Sequence, residues 1–99
     1  MSADDEFIIE RDFGLMVSDF TRIFPRIWPT AQRIDDATVS VALKPAGQVK
    51  VKLSAQKFRK LAMLRIPYLD ITFHFECTTE EQRAEFFEDF ERSFQKGGG

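Results

Sequence analysis

The sequence predicts an α+β fold: a two-layer sandwich with an antiparallel sheet and helices on one of its faces. Two observations predict it. Residues 69–77 alternate apolar and polar side chains, which is typical of a strand with one buried face. Residues 78–96 carry phenylalanines at helical spacing, which indicates a helix with one apolar face. Because each apolar face needs a partner, the two segments are expected to form most of a small core.

The composition predicts one domain over residues 1–99, with residues 1–5 and 97–99 disordered. Eleven phenylalanines predict an aromatic core. The single cysteine excludes an intramolecular disulfide and is typical of a reducing compartment. The first residues lack the basic-then-apolar order of a signal peptide, and no apolar run approaches the roughly 20 residues of a membrane span. We therefore expect a cytoplasmic protein without a membrane partner.

The first predicted strand covers residues 6–11, a short apolar run bounded by acids. Asp12 is the expected N-cap of an amphipathic helix over residues 13–24, because apolar side chains recur there at steps of three and four. Pro25 is expected to end or kink this helix. The polar residues 30–37 are expected to form a turn.

A β-hairpin is predicted next, over residues 38–53. Its two alternating stretches flank residues 44–48, whose proline and glycine are typical of a turn. Residues 55–66 fit two structures: their composition favours a helix, while their apolar residues also fit the spacing of a strand. Thr78 and Glu81 match a capping box at the start of the last helix.

The predicted order is β-α-β-β-(α or β)-β-α, with the fifth element undecided. A helix there gives the order of a ferredoxin-like sandwich followed by a C-terminal helix. A strand there gives a β-meander with two helices on one face. Both folds host many unrelated functions, so the function has to be inferred from individual residues.

Two side chains are candidates for catalysis or metal binding, and the sequence favours neither. His74, the only histidine, lies on the polar face of its strand, where Glu76 offers one further ligand, whereas a metal site needs three or four. Cys77 falls on the apolar face and is expected to fill core space, out of reach of His74 as a base. No nucleotide-binding, zinc or metalloprotease motif is present. The sequence therefore predicts no enzyme, no cofactor and no metal site.

Charge is distributed unevenly along the chain. Residues 44–65 hold seven cations and no acid, while both ends are acidic. Lys50 and Lys52 are expected on the open sheet face beside His74, where they form a basic binding surface. The alternative explanation is that such lysines keep sheet edges from aggregating. The residues expected to bind are Lys50, Lys52, Lys57, Arg59, Lys60, Arg65, His74 and Trp28.

These observations predict a small non-catalytic protein-interaction or accessory module that binds an acidic protein surface. Trp28 belongs to the expected surface because tryptophan is a frequent interface anchor, although it also fits the end of the core. A nucleic-acid-binding domain is the alternative, weakened because Phe73 and Phe75 share the core side and are not offered for base stacking. A small enzyme using Cys77 or His74 and a homodimer formed through the sheet stay open.

Overall fold

The computed structural model describes residues 6–94, so the disorder expected at residues 1–5 and 97–99 lies outside the described range. Within that range the chain forms six strands and two helices. Their bounds are β1 Glu6–Phe13, α1 Val17–Ile27, β2 Gln32–Asp35, β3 Thr38–Ala42, β4 Gln48–Leu53, β5 Lys57–Leu61, β6 Leu64–Glu76 and α2 Glu80–Phe94. All strand pairs are antiparallel, in the spatial order β1-β6-β4-β3-β2, with β5 paired to β6 alone. The predicted α+β sandwich is confirmed.

Both helices pack on one face of this sheet. Phe73 of β6 is fully buried, and its ring centroid lies 5.2 Å from that of Phe90 in α2. Phe24 of α1 joins the same cluster, 6.5 Å from Phe90. The alternation of β6 places its even-numbered residues on the opposite face, which no helix covers in the described part of the chain.

The observed order corrects one alternative and resolves the undecided segment. The ferredoxin-like order is wrong, because residues 57–61 form β5 and turn at Ala62 and Met63 into β6. Helix-favouring composition is overridden here, since β5 pairs along its whole length with residues 64–68. A further strand, β2, occupies part of the expected turn at 30–37. All its side chains are exposed, so it shows no alternation that a sequence pattern reveals.

Helix α1 begins at Val17, later than expected, and continues past the proline. Asp12 belongs to β1 and caps no helix, because β1 stays paired with β6 as far as the buried Phe13. The N-cap position belongs to Met16, whose side chain makes no capping hydrogen bond. Pro25 lies inside the helix, where it removes one backbone donor without ending the helix.

Helix α2 is capped one residue later than predicted. The Gln82 N–H donates to Thr79 Oγ1 at 3.1 Å, and the Thr79 N–H donates to Gln82 Oε1 at 2.8 Å. This reciprocal pair is a capping box, so the box predicted at Thr78 and Glu81 is wrong. Gln82 Nε2 also donates to two carbonyls of the loop between β3 and β4, each at 2.8 Å, and so ties that loop to α2.

Trp28 closes one end of the aromatic core. Its ring stacks on that of Phe86 with centroids 4.7 Å apart and lies 4.6 Å from that of Phe24. The side chain is half-buried and packs against the hydrophobic core. This packing favours the core explanation of Trp28 over the interface explanation.

Candidate functional site

The open sheet face carries the lysines that the sequence placed there, but it is not uniformly basic. Lys50 lies opposite His74 and Lys52 opposite Thr72 in the β4–β6 ladder. The Lys50 Nζ atom lies 3.9 Å from Glu76 Oε2. The acids of β1 and β6 on the same face are Glu6, Glu10, Asp12, Asp70 and Glu76. The face therefore carries lysines on β4 and acids on β1 and β6, and a purely basic sheet surface is not formed.

The four remaining predicted cations lie elsewhere, on a hairpin that extends beyond the core. We call residues 57–68, which comprise β5, its turn and the start of β6, the β5–β6 arm. Residues 64–68 of β6 pair only with β5, whereas residues 69–76 pair with β1, and residues 71–76 also with β4. All five residues of β5 are exposed. The five-residue strand spans roughly 17 Å.

Two arm cations tie the base of the arm to the sheet. Lys57 Nζ donates to Asp70 Oδ2 at 2.6 Å, and Arg59 donates to Asp12 Oδ2 at 3.0 Å. The hydrogen bond to Asp70 raises the pKa of Lys57. Both ion pairs are solvent-exposed and add little to stability, but they neutralise these two cations.

The other two arm cations face each other without such partners. Lys60 and Arg65 are directly opposite in the β5–β6 ladder. Neither has a carboxylate within 4.0 Å among residues 6–94. The Arg65 guanidinium lies over the Phe58 ring, 4.1 Å from its centroid, which holds the charged group at the arm surface.

The tip of the arm is apolar and exposed. Met63 is 95% exposed, and the paired residues Leu61 and Leu64 are 61% and 62% exposed. Ala62 turns the chain with φ 58°, a left-handed conformation that favours glycine. The arm thus combines an apolar tip with two unneutralised cations immediately behind it.

One glutamine fixes the arm base to the rest of the fold. Gln56 Oε1 accepts from the Val17 N–H at 2.7 Å. Gln56 Nε2 donates to the carbonyls of Leu15 and Tyr68, at 3.2 and 3.1 Å. A single side chain thus joins the start of α1 to the point where β6 leaves the arm. No sequence pattern predicts this role, because a glutamine in a loop is usually solvated.

The histidine has more neighbours than its own strand offers. His74 Nε2 lies 3.6 Å from Glu6 Oε1 and 3.8 Å from Glu76 Oε2. That Glu6 lies near His74 was not predicted from the sequence. The two residues come together because β1 pairs with β6 in the register that places Glu6 opposite Glu76. Gln48 Nε2 donates to Glu76 Oε1, and this hydrogen bond lowers the pKa of Glu76.

Cys77 is exposed, so its expected place in the core is wrong. The strand alternation stops at Glu76, and Cys77 takes φ 58° as the chain turns toward α2. The thiol and His74 therefore do not share a strand face.

A pocket between α1 and β3 has a volume of about 110 Å³. It is lined mainly by apolar side chains, together with Arg33 and Asp36. Neither Cys77 nor His74 lines this pocket.

The chain matches no protein-family model, no curated protein and no solved structure. Among residues 6–94, neither helix has the length and apolar character needed to cross a membrane.

Proposed function

We propose that the chain is a small non-catalytic module that binds an acidic protein surface through the tip of its β5–β6 arm. The observation that carries this proposal is the opposed pair Lys60 and Arg65 directly behind the exposed tip. The contact surface consists of Lys60, Leu61, Met63, Leu64 and Arg65. Lys60 and Arg65 belong to the basic surface predicted from the sequence, whereas the three apolar residues were not among the predicted binding residues.

A carboxylate of a binding partner would stabilise the opposed cations Lys60 and Arg65. Like charges placed directly opposite each other in a ladder cost roughly 0.2–1 kcal/mol. Lys57 and Arg59, at the base of the arm, each have an acid of this chain beside them, whereas Lys60 and Arg65 have none among residues 6–94. A partner carboxylate between the two would remove the repulsion, and the arginine fork suits bidentate recognition of such a group.

The apolar tip supplies the second half of the contact. Met63, Leu61 and Leu64 make few contacts within the chain, as their exposure shows. Full burial of one such side chain against a partner contributes about 1.5–3 kcal/mol. Methionine also adapts its shape to irregular recesses, which suits an anchor at a hairpin tip.

The arm supports a protein partner better than a nucleic acid. Bases stack on exposed aromatic rings. One face of each arm ring is occupied by an arginine: Arg65 lies over Phe58 and Arg59 over Tyr68, each 4.1 Å from the ring centroid. The acids of the adjoining sheet face would repel phosphates.

We also propose a cytoplasmic setting, because the exposed Cys77 thiol suits a reducing compartment.

The test compares arm variants with matched surface variants in quantitative affinity enrichment from nuclease-treated extract of the source cells. The arm variants are Lys60→Glu/Arg65→Glu and Met63→Ser/Leu64→Ser. The controls are Lys52→Glu on the sheet face and Ile34→Ser, which is 53% exposed on β2. The partner that is lost with both arm variants is then purified for a binding isotherm.

We expect each arm variant to lower the affinity measured in that isotherm by at least about tenfold, because central interface anchors contribute about 1.4 kcal/mol or more. The controls should bind within about twofold of the wild-type chain. Equal enrichment of every bound protein by all four variants would contradict the proposal. Binding that is seen only in a parallel extract left without nuclease, or that moves to phospholipid vesicles, would replace the protein partner with a nucleic acid or a membrane.

A further inference from the structure

We infer that Glu6, His74 and Glu76 form a binding site for a divalent transition-metal ion of the zinc type on the open sheet face. The site is separate from the arm and uses none of its residues. Its ligands come from two neighbouring strands, β1 and β6, which are held in one register by the antiparallel ladder. One ligand atom from each of the three side chains lies within 4.8 Å of the other two.

The spacing of these atoms is near that of a coordination shell. Ligand atoms on a tetrahedral zinc ion lie about 3.3 Å apart, given bonds of about 2.0 Å. His74 Nε2 is 3.6 Å from Glu6 Oε1 and 3.8 Å from Glu76 Oε2, so both pairs need to close by only a few tenths of an ångström. The Glu6 side chain is 54% exposed and has the freedom to bring its carboxylate closer to that of Glu76.

The histidine nitrogen at the centre of this group has no hydrogen-bond partner. Among residues 6–94, His74 Nε2 is the one buried side-chain polar atom in this condition. Buried polar atoms in proteins almost always have a partner, so an exception calls for an explanation. A neutral imidazole that carries its proton on Nδ1 leaves Nε2 as a lone-pair donor, and this is the form that binds metals.

Two neighbouring side chains act on the Glu76 carboxylate, one in favour of metal binding and one against it. Gln48 donates to Glu76 Oε1 and so leaves Glu76 Oε2 directed toward His74. Orientation of a ligand by such a hydrogen bond is a regular feature of metal sites. Lys50 acts against the metal, because its ammonium group lies 3.9 Å from Glu76 Oε2 and competes for that oxygen.

The ligand types decide the class of ion. An imidazole with two carboxylates suits Zn²⁺, Mn²⁺ and similar first-row ions, whereas Ca²⁺ and Mg²⁺ prefer all-oxygen sites. Three protein ligands leave a fourth position for water or for a ligand from solution. The Glu6 side chain is 54% exposed, so the fourth position is expected on the solvent side of the group, beside this carboxylate.

The experiment titrates tag-free protein with Zn²⁺ by isothermal calorimetry and follows the His74 ring nitrogens by NMR. The variants are His74→Gln and Glu6→Gln, which each remove one ligand. Glu10→Gln, on the same face of β1, is the matched control, and Cys77→Ser excludes binding by the nearby thiol. Lys50→Gln removes the competing ammonium group.

We expect one zinc ion per chain, a shift of the Nε2 resonance, and a loss of at least about a hundredfold in affinity with His74→Gln. Glu6→Gln should lose about tenfold or more. Glu10→Gln and Cys77→Ser should bind as the wild type does, and Lys50→Gln should bind more tightly. Affinity of His74→Gln within about twofold of wild type, or no binding of zinc to the wild type up to about 1 mM, would overturn the inference.

Discussion

Replacing Phe90 by alanine should remove the residue that joins the two layers of the fold. Phe90 is fully buried, and its ring centroid lies within 6.5 Å of seven other aromatic centroids. The nearest are those of Phe94, Phe13 and Phe73, at 4.6, 4.9 and 5.2 Å. These neighbours come from α2, β1 and β6, so a cavity at Phe90 would loosen contacts of all three elements.

The size of the effect follows from this packing. A buried Phe→Ala substitution costs about 3–5 kcal/mol, and aromatic pairs add about 0.5–1.5 kcal/mol each beyond area burial. We therefore expect a loss of about 4–5 kcal/mol for Phe90→Ala, because seven rings surround the site. A domain of this size has about 5–15 kcal/mol of stability, so the variant should be partly unfolded at room temperature if the wild type lies at the low end.

Urea denaturation followed by Trp28 fluorescence measures this loss directly, because the indole stacks on Phe86 and reports on the same core. Phe58→Ala is the matched control: the same substitution on the arm, at a side chain that is 42% exposed. The control should lose less than about 1 kcal/mol. If Phe90→Ala lost under about 2 kcal/mol, or no more than Phe58→Ala, the assignment of the core would be wrong.

Two further substitutions test how loops are fixed to the sheet. Gly47 has φ +94°, and a Cβ there would lie 2.5 Å from the Cys77 carbonyl oxygen, so Gly47→Ala should lose about 2–5 kcal/mol in urea denaturation. Gly14→Ala meets nothing nearer than 3.8 Å and should change stability by less than about 0.5 kcal/mol; equal losses for the two would contradict the loop geometry. Gln56→Ala should lose about 1–3 kcal/mol and speed amide exchange at the arm base, because it leaves backbone groups of α1 and β6 without partners. Gln32→Ala, on the exposed β2, is its control, and similar exchange rates in both variants would count against the anchoring role.

Periodic segments were predictable from the sequence, since their side chains report directly on burial. The alternation of β6 from Leu69 onward and the phenylalanines of α2 occupy the predicted faces. The hairpin of β3 and β4 also forms as predicted. In these strands every second residue faces the core, and in α2 every third or fourth residue does. Both periods are visible in the sequence alone.

The arm and β2 were harder to predict because neither packs against the core. Every side chain of β2 and β5 is exposed, so burial leaves no period in their sequences. Composition then favoured a helix for residues 55–66, whereas antiparallel pairing with β6 makes it a hairpin. Strand formation here depends on a partner strand, which local propensity does not describe.

The candidate sites were predicted only in part, because both depend on which strands become neighbours. The cations of the arm were identified by their charge, but Asp12 and Asp70 neutralise two of them through contacts between distant segments. His74 was excluded as a metal ligand by counting ligands along one strand. Glu6 reaches it from β1, 68 residues earlier in the chain, through the β1–β6 register.

The most direct test of the proposed arm surface places a photo-activated cross-linking amino acid at position 63 and, in a matched protein, at position 34 in the source cells. Both positions are solvent-exposed, at the arm tip and on the edge strand β2. We expect one protein with an acidic surface to be captured from position 63, not to be captured from position 34, and to be lost when Lys60→Glu and Arg65→Glu are added. Capture of the same proteins from both positions, or capture from position 63 that survives the two charge reversals, would contradict the proposed arm surface.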